Sequence, residues 1–446
     1  MSSTQDAENT RALLVSIRTP KVTETEAEES LAELRRLVST LGYRVIGTQS
    51  QRQPSTAGVT VVGEGKLKEL ARFTGGKGVV ERGPQKTGED NEEEESSPAL
   101  VEDVAPHELA TVVVFDCDLT PSQLRNVENA LGVEVLDRTG VIIEIFSRHA
   151  KTRAARLQVE IARLNYLAPR LREVGGGGKE RQSGRGSGES ELELDRRKVR
   201  DRLAELRREL DSVQQEQGSR RSQRAEQMCV ALVGYTNAGK SSTMRALTGS
   251  DVLVEDKLFA TLDTTVRAMQ PETQPRILVS DTVGFIKKLP HDLVASFRST
   301  LEEARNASLL LYVVDASDPT FRAQLDVVND VLREVGVENT PHLHLLNKAD
   351  RLSDEQKDAL RHEFPEAMLI SARNPADIQA LRERIMQFAE RDMIEEEIFV
   401  PYTAKGVVGE IRSNMRIVQE SYEADGVRIR VRSKAVDLDR LKKMLP

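Results

Sequence analysis

The stretch "GYTNAGKSS", residues 234–242, follows the apolar run "MCVALV" at 228–233. It fits the spacing Gly234-x-x-x-x-Gly239-Lys240-Ser241 of a phosphate-binding loop. Glycines let backbone N–H groups converge on phosphate oxygens. The helix that follows turns its positive end to the same anion. Tyr235, Thr236, Asn237 and Ala238 fill the turn. Lys240 offers a charge to the outer phosphates and Ser241 an oxygen to Mg²⁺. The bland alternative, a chance glycine turn, is opposed by the placement between strand-like and helix-like text. That placement sets the fold class as α/β, a mostly parallel sheet with helices on both faces.

Downstream, the runs "RILVSD", "LLLYVVD", "HLHLLN" and "AMLISA" join "CVALVG" as short apolar segments, as expected for strands buried on both faces. Three of them end in further signals. "DTVG", Asp281-Thr282-Val283-Gly284, offers an aspartate to hold Mg²⁺ through water and a backbone N–H at Gly284 to sense a γ-phosphate. "NKAD", Asn347-Lys348-Ala349-Asp350, ends the run "HLHLL". The Asp350 carboxylate has only acceptors. Guanine presents N1–H and N2–H side by side and adenine does not, so a buried carboxylate there rejects adenine. Asn347 is expected to reach the acceptor edge of the base and the Lys348 stem to cover its ring. "SAR", Ser371-Ala372-Arg373, can bring a backbone N–H to the guanine O6. Four such signals in order, each at a strand end, predict a guanine-nucleotide site. "FATLDTT", 259–265, supplies the candidates Thr261, Thr264 and Thr265 for the threonine that closes over the γ-phosphate.

Further from the loop the text divides into blocks. Residues 1–150 alternate strand-like runs ("ALLVSI", "YRVIGTQ", "TVVVFD") with helical ones ("EAEESLAELRRLVSTLG", "GKLKELARF", "PSQLRNVENALG"), and "VEVLDRTGVIIEIF" continues the series. Leu31, Leu34, Leu37 and Leu41 share one helical stripe that stops at Gly42. This predicts an N-terminal α/β domain carrying an acidic insertion at 83–105. Residues 151–226 carry two apolar stripes, Leu157/Ile161/Leu164/Ala168/Leu171 and Leu192/Val199/Leu203/Leu206/Leu210/Val213, on either side of "GGGGKERQSGRGSGES". They read as an antiparallel helical hairpin. A nucleotide domain then spans 227–393. A small α/β domain follows at 394–446, reading strand, helix, a strand pair turning at Ala424-Asp425-Gly426, and the short helix "DLDRLKKML".

The formal net charge of −8 argues against whole-surface attraction to nucleic acid, yet residues 151–224 hold 19 Lys/Arg against 12 Asp/Glu, a net of +7. That local reversal suits docking on RNA, although a solvated helix surface gives the same count. No run approaches the about 18–20 apolar residues of a membrane span. The first thirty residues lack the core of a secretion signal. The two cysteines, Cys117 and Cys229, form no metal or disulfide pattern, so a reducing cytosol is expected. "GEGK", 63–66, precedes a helix and is a weaker candidate for a second phosphate site, with a plain turn favoured. His342 and His344 share a strand face without a nearby carboxylate pair, which gives a metal site little support.

With these residues in view, the chain resembles the HflX family, translational GTPases of the Obg-like group. "GYTNAGKSS", "FATLDTT", "DTVGFIKKLPHDLVASFRSTLEE" and "NKAD" are similar to that family's nucleotide domain. "LTPSQLRNVENALGVEVLDRTGVIIEIF" and "RLQVEIARLNYLAPRL" are similar to its own N-terminal and helical domains, over roughly residues 12–400 in all. The resemblance implies a cytoplasmic P-loop GTPase, monomeric when free, that hydrolyses GTP. It implies association with the large (50S) ribosomal subunit, through the hairpin and N-terminal domain, in splitting or rescue of stalled ribosomes, protein synthesis or ribosome biogenesis. It makes Thr261 the Mg²⁺ threonine beside Ser241, with Phe259, Ala260, Thr261, Leu262 and Asp263 lining the nucleotide. Thr264 stands where the family has proline, which would loosen this segment, and Ser187 replaces a proline in the interhelical loop.

Catalysis is expected from Lys240, Asn237 and Gly284. Phe285 occupies the place where many GTPases carry a water-orienting glutamine, so slow intrinsic turnover is one expectation. Similarity to potassium-dependent relatives with Asn in the loop suggests that the Asn237 oxygen helps hold a K⁺ beside the phosphates. A group positioned by the ribosome is the other source of help. Three rivals are weighed. A tRNA-modifying GTPase is expected to end in Cys-x-Gly-Lys, whereas this sequence ends "LKKMLP". An RNA remodeller would use ATP at the N-terminal domain. A non-hydrolysing scaffold is disfavoured by intact Lys240, Ser241 and Asp281.

Overall fold

The computed structural model describes residues 10–20, 22–80, 109–174, 191–222, 227–250, 258–259, 265–274, 276–287, 303–337, 339–391, 393–404 and 406–445. The described residues fall into two compact units, one running to Ser212 and the other beginning at Val213. The acidic insertion and the interhelical loop with Ser187 lie outside the described residues.

The first unit is built on four parallel strands: β1 (Arg11–Arg18), β2 (Arg44–Arg52), β3 (Val112–Phe115) and β4 (Glu134–Asp137), in the order β2-β1-β3-β4. Helices α1 (Glu24–Thr40), α2 (Glu64–Thr74), α3 (Pro121–Leu131) and α4 (Arg138–His149) connect and flank them. Local signals set these boundaries. Thr23 with Glu26, and Thr120 with Gln123, form capping boxes, and Pro121 opens α3. On α1 Leu34 and Leu37 are buried and Leu31 half-buried; Leu41, the residue that caps the helix, is buried too, and Gly42 follows at φ 80. The segment "VEVLDRTGVIIEIF" splits: Asp137 closes β4 and accepts the Gly140 N–H as the cap of α4, so the apolar run that follows is helical. It buries Val141, Ile142, Ile145 and Phe146 on one side.

Helices α5 (Arg153–Val174) and α6 (Glu191–Ser222) come next. Arg153 pairs with Glu209 at 2.7 Å and Glu160 with Arg202 at 3.0 Å. Numbering rises along one helix as it falls along the other, so they run antiparallel. Exposed pairs of this kind contribute at most about 1 kcal/mol each; they report orientation rather than stability.

The second unit holds a six-stranded sheet: β5 (Met228–Gly234), β6 (Thr265–Ala268), β7 (Ile277–Asp281), β8 (Leu309–Asp315), β9 (His342–Asn347) and β10 (Met368–Leu369). The order is β10-β9-β8-β5-β7-β6, parallel except for β6. One face packs Val230, Leu232, Ile277, Val279, Leu311 and Leu345 against α7 (Lys240–Thr248) and α10 (Pro375–Ala389). Val314 and Leu346 on the other face meet α8 (Phe321–Val335) and α9 (Asp354–Glu363). The expected α/β architecture with helices on both faces is the one observed. Strand order reverses beside β5, and in open sheets ligands sit at such a switch point, outside the carboxyl ends. The antiparallel β6 has no counterpart in the sequence reading, because four half-exposed residues give no period to read.

The C-terminal segment forms a three-stranded antiparallel sheet, β11 (Met393–Pro401), β12 (Arg416–Tyr422) and β13 (Gly426–Lys434), ordered β11-β13-β12. Helices α11 (Val407–Asn414) and α12 (Ala435–Lys442) bury Ile411 and Leu438 against Val400, Val427, Ile429 and Val431.

Candidate nucleotide site

The loop between β5 and α7 is shaped by close approaches that only glycine permits. At Gly234, with φ 154, a Cβ would lie 2.2 Å from the Val313 carbonyl oxygen of β8. At Gly239, with φ 99, a Cβ would lie 2.2 Å from the Asn347 amide nitrogen. Four non-glycine residues among those described have positive φ, and three border this region: Asn237 (61), Phe259 (58) and Lys348 (62). Strain of this kind concentrates where a ligand must be gripped.

Gly239 caps α7 with no side-chain partner, so the first turn keeps N–H groups for an anion. Lys240 is buried and its ammonium rests on the carbonyl oxygens of Gly234 (3.1 Å) and Tyr235 (2.8 Å). Burial pushes its pKa down to about 8, with Asp281 working the other way. Burial likewise pushes the Asp281 carboxyl up, against the pull of Lys240 and of its hydrogen bonds. Ser241 Oγ donates to Asp281 Oδ2 at 2.7 Å, while Asp281 Oδ1 is buried without a hydrogen-bond partner. A hydroxyl on a buried carboxylate with one oxygen to spare is a donor set that suits a hard cation such as Mg²⁺.

The "DTVG" segment docks along the loop. Thr282 Oγ1 donates to Leu232 O at 2.6 Å. Tyr235 and Phe285 form a parallel bridge, with Phe285 N donating to Gly234 O and Thr236 N to Phe285 O. Val283 and Phe285 are buried. At Gly284 a Cβ would be 2.8 Å from Thr236 Cα and 3.0 Å from the Lys240 ammonium. This glycine is therefore required by proximity to the loop it serves. Of the "FATLDTT" segment, Phe259 is described and donates its N–H to Thr236 Oγ1 at 3.0 Å. Ala260, Thr261, Leu262, Asp263 and Thr264 lie outside the described residues, and Thr265 opens β6 opposite Asp281.

The base-side residues converge at the ends of β9 and β10. The Asp350 carboxylate accepts from Ser371 Oγ at 2.6 Å, which holds its pKa below the usual carboxylate range. It is exposed rather than buried, so the bound base itself would have to cover it for the discrimination argued from sequence. Asn347 also ties the site together. Its amide donates to Ala238 O (2.9 Å) and accepts from Ala372 N (3.0 Å), joining the phosphate loop to the "SAR" loop, and one of its two amide N–H donors is left over for the base. Ala349 N donates to Ile370 O, and Arg373 N to Ser371 Oγ.

Two positions escaped the sequence reading. Asp315, the last residue of β8, holds the Lys348 ammonium at 2.7 Å and the Ser317 hydroxyl at 2.6 Å. Asp377 accepts the Ser371 N–H at 2.7 Å. An aspartate closing an apolar strand was the available signal for the first. His342 and His344 lie beside Tyr312, with ring centroids 5.3 and 5.0 Å away. Among the described residues no group of three or more His, Cys, Asp or Glu could hold a metal ion, and no helix is long and apolar enough to cross a membrane.

A phosphate loop at a switch point, a "DTVG" segment against it and "NKAD" and "SAR" loops at the adjacent strand ends define a P-loop GTPase. Residues 229–348 match the family model described as "50S ribosome-binding GTPase". Residues 149–224 match "GTP-binding GTPase Middle Region", and 28–80 with 98–147 match "GTP-binding GTPase N-terminal". GTPase HflX of Gluconacetobacter diazotrophicus is 56% identical over 97% of each chain. GTPase HflX of Escherichia coli is 36% identical over 94% of this chain and 93% of its own. A GTP-binding protein from Sulfolobus solfataricus, solved with GDP, is 24% identical, covers 86% of this chain and 99% of its own, and superposes with a TM-score of 0.43. The chain belongs to the HflX family of GTPases.

Proposed function

We propose that this GTPase binds GTP with Mg²⁺ in the cytoplasm and uses the bound state to associate with the large ribosomal subunit, in splitting or rescue of stalled ribosomes. The supporting observation is the convergence of Lys240, Ser241, Asp281 and Gly284 at one end of a sheet whose next strand ends carry Asp350 and Ser371. Lys240 would leave its two carbonyl partners for the outer phosphates. Asp350 Oδ2 would accept from the guanine edge while Ser371 holds Oδ1. Ser241, Thr261 and Asp281 would hold Mg²⁺, and the ion would supply positive charge to the phosphates. The Gly284 N–H would meet the γ-phosphate.

Phe285 cannot orient a water, so intrinsic turnover should be slow without a helper. Asn237 is the proposed ligand of a K⁺ that supplies positive charge at the phosphates. Equal turnover in K⁺ and Na⁺, with Asn237→Ala no worse, removes that ion from the mechanism. The ribosomal role is tested by co-sedimentation with purified large subunits. More binding is expected with a non-hydrolysable GTP analogue than with GDP, and less as salt rises, since the +7 of residues 151–224 should act through counterion release. Equal binding in both nucleotide states would overturn the switch. The geometry at residues 63–66 gives no support to an ATP-driven remodeller, because Lys66 is buried between Gln49 (3.0 Å) and Glu69 (2.7 Å).

A further inference from the structure

The phosphate-cradling task of residues 234–239 falls on backbone N–H groups, and the side chains of Tyr235 and Thr236 are not needed for it. Both are nevertheless buried and engaged. The Tyr235 hydroxyl accepts the backbone N–H of Lys287 at 2.7 Å. The Thr236 hydroxyl accepts the backbone N–H of Phe259 at 3.0 Å. The Thr236 backbone N–H donates to Phe285 O at 2.8 Å, and Phe285 N donates to Gly234 O at 3.2 Å. Two neighbouring side chains thus hold two places in the chain that are far apart in sequence: one at Phe259, the other at Gly284, Phe285 and Lys287. Gly284 lies inside this grip, close enough that a Cβ would touch Thr236.

We propose that Tyr235 and Thr236 are a positioning pair: their hydroxyls fix Lys287 and Phe259 to the phosphate loop and so pre-set the Gly284 N–H for a third phosphate. The idea rests on the reading of Gly284 as the γ-phosphate sensor. Its physical content is preorganisation. With the hydroxyl bond in place, the segment enters the GTP-bound arrangement without first being ordered. A diphosphate makes no contact with Gly284 and gains nothing from the grip. The pair therefore bears on discrimination between GTP and GDP, rather than on nucleotide affinity as a whole.

The test uses the full chain and labelled GDP and non-hydrolysable GTP analogue. Loss of one hydrogen bond at Tyr235→Phe should weaken the analogue about fivefold, leave GDP within about twofold, and speed amide exchange in the segment 282–287. Thr236→Val should act in the same direction, and Thr236→Ser, which restores the acceptor, should recover the wild-type ratio. The threonine pair carries the test if Tyr235→Phe does not fold. Equal weakening of both nucleotides, or an unchanged ratio, overturns the positioning role. The underlying reading is tested separately in the unaltered chain. If the analogue protects the 282–287 amides no more than GDP does, the sensor reading falls and the pair with it; if it does protect them while the variants keep their ratio, only the pair falls.

Discussion

The two parallel sheets of this chain invite comparison, because each has a Gly-x-Gly-Lys or Gly-Lys sequence opening a helix beside it and charged residues at its carboxyl edge. At the first sheet the charged side chains Arg138, Asp137 and Lys66 are tied to charged or polar neighbours. Arg138 pairs with Glu33 and with Asp116, the latter at 2.9 Å. Asp137 accepts from Gly140 N, Tyr166 OH, Leu119 N and Arg170. Lys66 is held by Gln49 and Glu69, and Gly63, at φ −68, is an ordinary extended cap whose N–H goes to Gln51. At the second sheet the groups are held in reserve. Asp281 keeps an unpartnered oxygen, Lys240 leans on main-chain carbonyls and Asp350 faces solvent. Similar text yields a closed network in one place and a site in the other, and the difference lies in whether side-chain partners are supplied.

The sharpest way to break this contrast is to neutralise the two lysines in parallel. Lys240→Met should weaken GTP binding about a hundredfold or more, since a buried charge-assisted contact to phosphate is lost. Lys66→Met should leave GTP binding unchanged and lower stability by about 1–3 kcal/mol, because Gln49 is left unpaired. Fluorescent-nucleotide titration and chemical denaturation read the two outcomes. A loss of nucleotide binding in the Lys66 variant would place a phosphate site on the first sheet after all.

Next in size is the base. Asp350→Asn replaces an acceptor pair by an amide whose NH₂ faces the guanine donors. Preference for GTP over ITP, which lacks the N2 amino group, should shrink about tenfold or more. Undiminished preference would mean that Asp350 does not read the base. The lysine also imposes a pH dependence with a definite sign. With a pKa lowered to about 8 by burial, Lys240 of the free protein loses its proton as pH rises through that value. Phosphate binding needs the proton back, so affinity is full below pH 8 and declines above it by up to about tenfold per pH unit. Stability of the nucleotide-free chain runs the other way: between pH 8 and the ordinary lysine value the unfolded chain binds more protons, so stability rises with pH. Titrations at pH 7 and 9.5 that give one affinity would show that Lys240 is not the phosphate contact.

What could be read from the sequence follows from what a sequence encodes. Five of the six strands of the nucleotide sheet, and the motifs at their ends, were legible because short apolar runs bounded by glycine or aspartate leave few alternatives. The placement of Lys240 and Ser241 at the start of α7 was legible from spacing alone. Three things were not. The strand Thr265–Ala268 is too short and half-exposed to show a period. The apolar run after Asp137 supports helix and strand equally until the aspartate is seen to cap. Asn347 also bonds the backbone of Ala238 and Ala372, and no residue type announces a contact to main chain. The same limit hid the roles of Tyr235 and Thr236, whose hydroxyls meet main-chain N–H groups far away in sequence.

Asp315 gives the smallest and most discriminating test. It closes β8 and holds the Lys348 ammonium at 2.7 Å, while Ser317 fixes its other oxygen. Lys348 sits at φ 62, a costly backbone state for a residue with a side chain. The ion pair thus anchors a strained residue next to Asp350. Partly buried pairs of this kind are worth about 1 kcal/mol, so Asp315→Ala should weaken GTP and GDP alike by about fivefold, without altering preference among bases. Lys348→Met should cost as much or more, and the double variant should cost no more than Lys348→Met alone, because the two side chains act through one bond. Additive losses would separate them, and Asp315 would then belong with the spent carboxylates of the first sheet rather than with the site.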